Sequence, residues 1–446
     1  MTPSPIPPQR LGRPPRPRPA RGARRAVLPV LAVVAARAAG AASSGCGDEP
    51  APEPRTVVRP VPTATPSVVL VDVAGLRLDL FEAQVREPAT PADARPAPTR
   101  FRQALAPAGS SVPSLASTLT GWPASEVPGV EASSDVGGAR LNSPAWTLAE
   151  MLRDEGYDTA AFVTASVVPA ASGLDQGFEG AWTEAATPAA AADAAVAWLG
   201  ARRGAKPFLL FVALDVGAFD APTGADPVAG WVARSKAAEA QVTRLRNAAA
   251  PVLGATGLEI VFSDHGVGLG EDGRPAPARG GQVTDLRLRA RLEIRGPGFP
   301  PVEVQGSCCL TDLLPTVRDA MGLPPERGLA GRSLLPLAAH PDHPGLPVVA
   351  QEWRTDRVGK EGVERRLYVV RTARVKYVAT FTPRPVGWTE EVFDLGKDPG
   401  ETTPLPATDL APYGPEFTAA VTAVRDFLGG RRTHLNDEIV GPYLAR

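Results

Sequence analysis

The sequence predicts an α/β protein: a central sheet covered by helices on both faces, completed by a smaller C-terminal subdomain of antiparallel strands. Three observations predict it. Apolar, β-branched runs of strand length recur at 67–73 (SVVLVDV), 207–214 (PFLLFVAL) and 257–262 (GLEIVF), as in strands buried on both faces. Stretches of helical pattern lie between them. After about residue 345 the texture changes to segments that read as antiparallel strands with turns between them.

Taken in order, 143–164 reads as a helix followed by a short strand, TAAFVT. Ser143 is the expected N-cap with Pro144 at the first helical position; Leu148, Met151 and Leu152 form one apolar face, and Gly156 is the stop. Residues 231–250 read as the next long helix. LRLRARLEIRGPG (286–298) alternates and predicts a half-exposed strand. LTDLLPTVRDAMGLP (310–324) predicts a helix with Thr311 as a cap and Gly322 as the stop. In the last part, 365–381 and 388–395 predict antiparallel strands, and 415–430 a final helix.

The N-terminal segment is separate. No acidic residue occurs before Asp48, Pro is dense through residue 66, and nothing there can build a core. RGARR (21–25) followed by AVLPVLAVVAA (26–36) has the charge and length of an export signal, too short for a bilayer span of about 20 apolar residues. The small residues ending in SSGC resemble a bacterial lipoprotein signal whose lipidated residue would be Cys46; a cleaved secretory peptide with an incidental Cys is the other reading. The expected organisation is a signal over 1–45, a Pro-rich tether over 46–66, the α/β domain over 67–345 and the C-terminal subdomain over 346–446. The expected location is the cell envelope of a bacterium, with the lipid anchor on the membrane. A net charge of −1 gives no electrostatic case for nucleic acid. Three Cys make no disulfide framework, and the adjacent Cys308 and Cys309 read as small apolar residues.

Several stretches in one consistent order resemble the sulfatases of the alkaline phosphatase superfamily. PSVVLVDVAGLRLD (66–79) is similar to the family's opening strand, and SVPSLASTLTGWPASEVPGV (111–130) to its nucleophile motif, C/S-x-P-x-R. FSDHGVGLGEDG (262–273) is similar to its second metal-binding segment, and VFDLGKDPGETTPL (392–405) to its closing Y-D-L-x-x-D-P-x-E-x-x-N-L. The resemblance implies an alkaline-phosphatase-like mixed sheet flanked by helices. It also implies hydrolysis of an anionic ester through a formylglycine or hydroxyl nucleophile and a divalent cation, Ca²⁺ or Mg²⁺.

Carried over residue by residue, Ser111 falls on the nucleophile position, and Asp264 and His265 on the second ligand pair. The metal-binding Asp of the opening strand falls on Ala74, whose methyl group cannot ligate a cation. Asp72 lies about 6.6 Å earlier along the strand and would serve only in a shifted register; Arg77 or Arg279 is its expected ion-pair partner, and Asp79 is a further carboxylate that an unexpected register would bring in. The motif Arg is Leu115, Gly217 stands at the place of a sulfate-contacting His, and Arg279 is near the place of an anion-binding cation. Of four His, only His265 lies in a motif; His340, His343 and His434 read as solvated. Hard cations need about six oxygens, several of them anionic. The expectation is therefore an exported sulfatase-like pseudoenzyme used for binding or scaffolding, which would bind Ca²⁺ or Mg²⁺ poorly or not at all, with a divergent metal-dependent sulfuric or phosphoric ester hydrolase using Ser111 as the alternative.

Overall fold

The computed structural model describes residues 65–86, 95–130, 139–142, 144–202, 206–220, 226–271, 276, 281–326, 328–358 and 361–430. The expectations placed on the signal, Cys46, most of the tether, Ser143, Arg279 and His434 fall outside them. Among the described residues no helix is long and apolar enough to cross a membrane.

Among the described residues, twelve strands form two sheets. The larger contains β1 (Val68–Ala74), β2 (Thr99–Leu105), β3 (Asp158–Thr164), β4 (Ala181–Ala185), β5 (Phe208–Asp215), β6 (Leu258–Phe262), β7 (Leu292–Arg295) and β8 (Glu303–Cys309), ordered β4-β3-β5-β1-β6-β7-β2-β8. It is mixed: β7 runs antiparallel to both neighbours, β6 and β2, while the other pairs are parallel. The smaller sheet is an antiparallel meander of β9 (Val348–Val358), β10 (Glu361–Arg371), β11 (Val375–Pro383) and β12 (Val386–Asp394). The sequence's central mixed sheet with a second antiparallel sheet is the observed fold class.

Strand β1 shows why its sequence lacks polar alternation. Val68, Leu70 and Ala74 pack in one core cluster with Leu115, Ala116 and Leu119 of the helix Ser111–Thr120. Val69, Val71 and Val73 pack in another with Trp231, Val242 and Leu245 of the helix Pro227–Leu253. A strand covered on both faces needs apolar residues at every position. By the same alternation Asp72 belongs to the first face.

Several sequence expectations are corrected. The helix expected from Ser143 begins at Leu148, capped by Thr147: its side chain accepts from the Glu150 N–H while the Glu150 carboxylate accepts from the Thr147 N–H. This reciprocal pairing outcompetes a cap four residues upstream. The long helix extends to Pro227–Leu253 because Asp226 accepts from two first-turn amides, Val228 and Ala229. The 310–324 helix is opened by the Cys309 and Asp312 pairing, not by Thr311.

The half-exposed strand over 286–298 is instead a short helical turn, Asp285–Leu288, followed by β7, all of whose residues are buried. Charge pairing is the reason. Arg246 donates to Glu259 and Glu293, Arg291 to Glu239 and Glu293, and Arg295 to Glu259. The polar alternates thus face the long helix as a network rather than solvent.

A second network joins the smaller sheet to the larger. Arg371 and Lys376 both reach Asp285, Lys376 reaches Glu401 at 2.6 Å and the Val283 carbonyl, and Glu401 accepts from the Asp285 amide. Glu401 holds this position with φ 54, an uncommon left-handed conformation for a non-glycine residue. The closing DPGE stretch is therefore a clamp on the segment that leads into residue 287.

Burial works against the Glu293 charge, but the guanidiniums of Arg291 and Arg246 outweigh it and hold the carboxyl well below the usual range. The stability this contributes is present above the ordinary Glu value of about 4.3 and is lost as pH falls below it. Glu293→Ala is expected to cost about 3–5 kcal/mol in denaturant unfolding at neutral pH, because two buried guanidiniums lose a partner. The mutant's stability should fall less steeply in acid than that of the parent chain.

Candidate active site

The site lies where β1 and β6 end side by side. The Asp264 Oδ1 atom accepts from the Gly75 amide at 3.0 Å and from the His265 amide at 2.8 Å. Asp72 Oδ1 accepts from the Asp264 amide at 2.9 Å. Both carboxylates are fully buried. Gly75 adopts φ 75, which lets the chain leave β1 with its amide turned toward Asp264.

Ser111 is the first residue of its helix and is partly exposed. It does not cap the helix; the N-cap position is Ser110, whose side chain makes no capping bond. The Ser111 hydroxyl instead lies 3.1 Å from His265 Nε2. On the other side of the ring, His265 Nδ1 lies 2.5 Å from the Gly266 carbonyl. A carbonyl only accepts, so Nδ1 carries the proton, and Nε2 is left to accept from the serine hydroxyl. Asp264 Oδ2, buried and without a hydrogen-bond donor, sits 3.6 Å from Nε2. The helix is fixed from below by Ser114, whose hydroxyl donates to the Asp264 carbonyl at 2.6 Å.

The structure thus brings Ser111, Asp264, His265 and Asp72 together. Ala74 and Leu115 are fully buried core residues. Gly217 donates its amide to Asp215, whose other carboxylate oxygen is taken by Ser166. Arg77 does not supply the expected pairing with Asp72: its guanidinium binds both oxygens of Asp79, Glu271 and the Val267 carbonyl. That pairing also leaves Asp79 as an ion-pair partner rather than a wall of this site. His340 and His343 are exposed. Cys308 and Cys309 are buried free thiols, and burial pushes the Cys309 thiol up to about 12.

Two further groups border the site and went unread in the sequence. Arg287 is buried, and a Cβ at Gly268 would stand 2.2 Å from its guanidinium. The Gly266 amide donates to the Arg287 carbonyl at 2.7 Å, and a Cβ at Gly266 would meet the Leu286 carbonyl at 2.2 Å. The glycines after His265 are thus the space into which residues 286–287 pack; the G-x-G pair was the available signal. Glu352, on β9, accepts from the amides of Gly109 and Trp353. Burial pushes its carboxyl up to about 7, against the opposing pull of those amides, the Gly281 amide and the Arg287 charge.

The described residues do not fit a divalent cation: among them no group of three or more His, Cys, Asp or Glu side chains could hold one. One oxygen of Asp264 is occupied by two amides, and Ala74 at the end of β1 offers no oxygen, whereas hard cations need several anionic ones.

The architecture is the fold of the sulfatases and the wider alkaline phosphatase superfamily. No family model matches the chain. Arylsulfatase K of Bos taurus is 29% identical over 133 residues, covering 29% of this chain and 23% of that protein. Arylsulfatase K of Homo sapiens is 30% identical over 130 residues, 28% of this chain and 23% of that one. The chain thus spans about a quarter of the length of these curated relatives. Among solved structures, a 2-O GAG sulfatase superposes with a TM-score of 0.61 at 19% identity, covering 84% of this chain and 93% of that one. The phosphonate monoester hydrolase of Agrobacterium radiobacter does so at 0.59 and 19% identity, covering 81% and 96%. The chain is related to the sulfatases in sequence over a limited stretch and shares their fold over most of its length.

Because the Glu352 carboxyl titrates higher folded than unfolded, the stability of its protonated form is complete below about 4.3 and lost as pH rises through about 7. Glu352→Gln should therefore narrow the difference between melting temperatures measured near pH 5 and near pH 8.

Proposed function

We propose that the chain is an exported, lipid-anchored protein on a sulfatase scaffold that has lost metal-dependent hydrolysis of sulfuric esters, and that it is a pseudoenzyme for that reaction. One observation supports the reading: Ala74, the residue on which the resemblance puts the first metal-binding carboxylate, is packed in the core with no exposed surface. Leu115 supports it, since an aliphatic side chain in the core neutralises no sulfate oxygen. An anionic ester remains the expected class of ligand. The second reading, a divergent metal-dependent hydrolase of sulfuric or phosphoric esters using Ser111, draws on the buried Asp264 Oδ2, an oxygen with no hydrogen-bond donor.

Elemental analysis of the purified chain, together with melting curves in added Mg²⁺ or Ca²⁺, separates the two. Substoichiometric ion and no thermal shift are expected; an ion present at 100 times its Kd would add about 2.7 kcal/mol. No hydrolysis of para-nitrophenyl sulfate or phosphate is expected. Stoichiometric ion with turnover abolished in Ser111→Ala would establish the second reading instead. For the anchor, Cys46→Ala expressed in a bacterium should move the chain from the membrane pellet to the soluble fraction of the envelope; unchanged pelleting would sink that part.

A further inference from the structure

We propose that Ser111 and His265 form a metal-independent nucleophile–base pair that hydrolyses carboxylic esters through an acyl-serine intermediate. The inference goes beyond the loss of sulfuric ester hydrolysis and stands on separate geometry. The Ser111 hydroxyl is 3.1 Å from Nε2, within reach for proton transfer, and the Gly266 carbonyl at 2.5 Å from Nδ1 fixes the tautomer that accepts that proton. The serine is partly exposed, and the imidazole it contacts is fully buried. Asp264 Oδ2, 3.6 Å from Nε2, places a carboxylate against the imidazolium that forms during attack.

The chemistry balances without a cofactor. Ser111 Oγ bonds to the acyl carbon as its proton passes to Nε2. The bond from that carbon to the alcohol oxygen then breaks, and Nε2 returns the proton to the departing alcohol. Water repeats the sequence, releasing the acid and restoring the serine. The acyl carbon is the favoured centre because its transition state carries one oxyanion. In the helix Ser111–Thr120 the third residue is Pro113, which has no N–H, and the Ser114 amide donates to the Ser110 carbonyl; the amides of Ser111 and Val112 lie at the positive end, suited to a single negative charge. A sulfuryl centre spreads charge over several oxygens, and Leu115 and Gly217, the positions to which the resemblance assigns their contacts, carry no side-chain donor.

The test uses the full chain in EDTA with a fluorophosphonate and with para-nitrophenyl acetate. Expected are a covalent fluorophosphonate adduct mapped by mass spectrometry to Ser111, and an initial burst of nitrophenolate. Both should be unaffected by added Mg²⁺ and absent in Ser111→Ala, with His265→Gln reducing the rates at least about 100-fold. An adduct elsewhere, no adduct, persistence of the burst in Ser111→Ala, or a requirement for metal overturns the proposal. The adduct site on the unmutated chain decides even where His265→Gln fails to fold. Sulfate ester turnover speaks only to the earlier reading, so the two can fail independently.

Discussion

The carboxylate of Asp264 ties the ends of two neighbouring strands together. Its Oδ1 atom collects the amide that follows β1 and the amide that follows β6, and everything around the site is built on that tie. The same residue's carbonyl receives Ser114 from the nucleophile-bearing helix, and its amide is held by Asp72. Three elements distant in sequence are thereby fixed against one aspartate. Backbone amides satisfy one of the carboxylate's oxygens and fix its orientation. A buried carboxylate with neither oxygen hydrogen-bonded would be costly, so these two amides help keep Asp264 at this position.

The same economy explains Leu115. A guanidinium there would face the packed helix interface formed with Ala74, Ala116 and Leu119, and nothing on that apolar surface would pair it. Ala74 and Leu115 share one apolar core cluster, so an aliphatic side chain at 115 is the stable complement of the methyl group at 74.

The fold was legible because its signals are strong and local: the runs that became β1, β5 and β6 are apolar at nearly every position, and the helices between them keep their apolar faces even where their caps lie elsewhere than expected. What misled was charge. Arginines and one glutamate alternating with apolar residues over 286–298 have the pattern of a half-exposed strand, and only the partners on the long helix reveal a buried network. Strand β9 went unread for a related reason: QEW places two polar residues in a segment whose burial is set by the loop carrying Gly109. Within the site, adjacency of Asp264 and His265 was plain in the sequence, but the direction of the imidazole was not. Whether Nε2 faces a cation or a hydroxyl depends on the Gly266 carbonyl claiming Nδ1, a matter of backbone geometry that no residue pattern encodes.

That direction bears on what the scaffold can still do. An imidazole whose Nδ1 is committed to a carbonyl has one lone pair to offer, and in this chain it points at the hydroxyl of Ser111. Metal ligation and general-base catalysis compete for that lone pair. Under the pseudoenzyme reading proposed above, that competition does not arise. Loss of the cation need not therefore leave an inert pocket: under the reading proposed above, the change that ends one hydrolytic chemistry also frees the group needed for another.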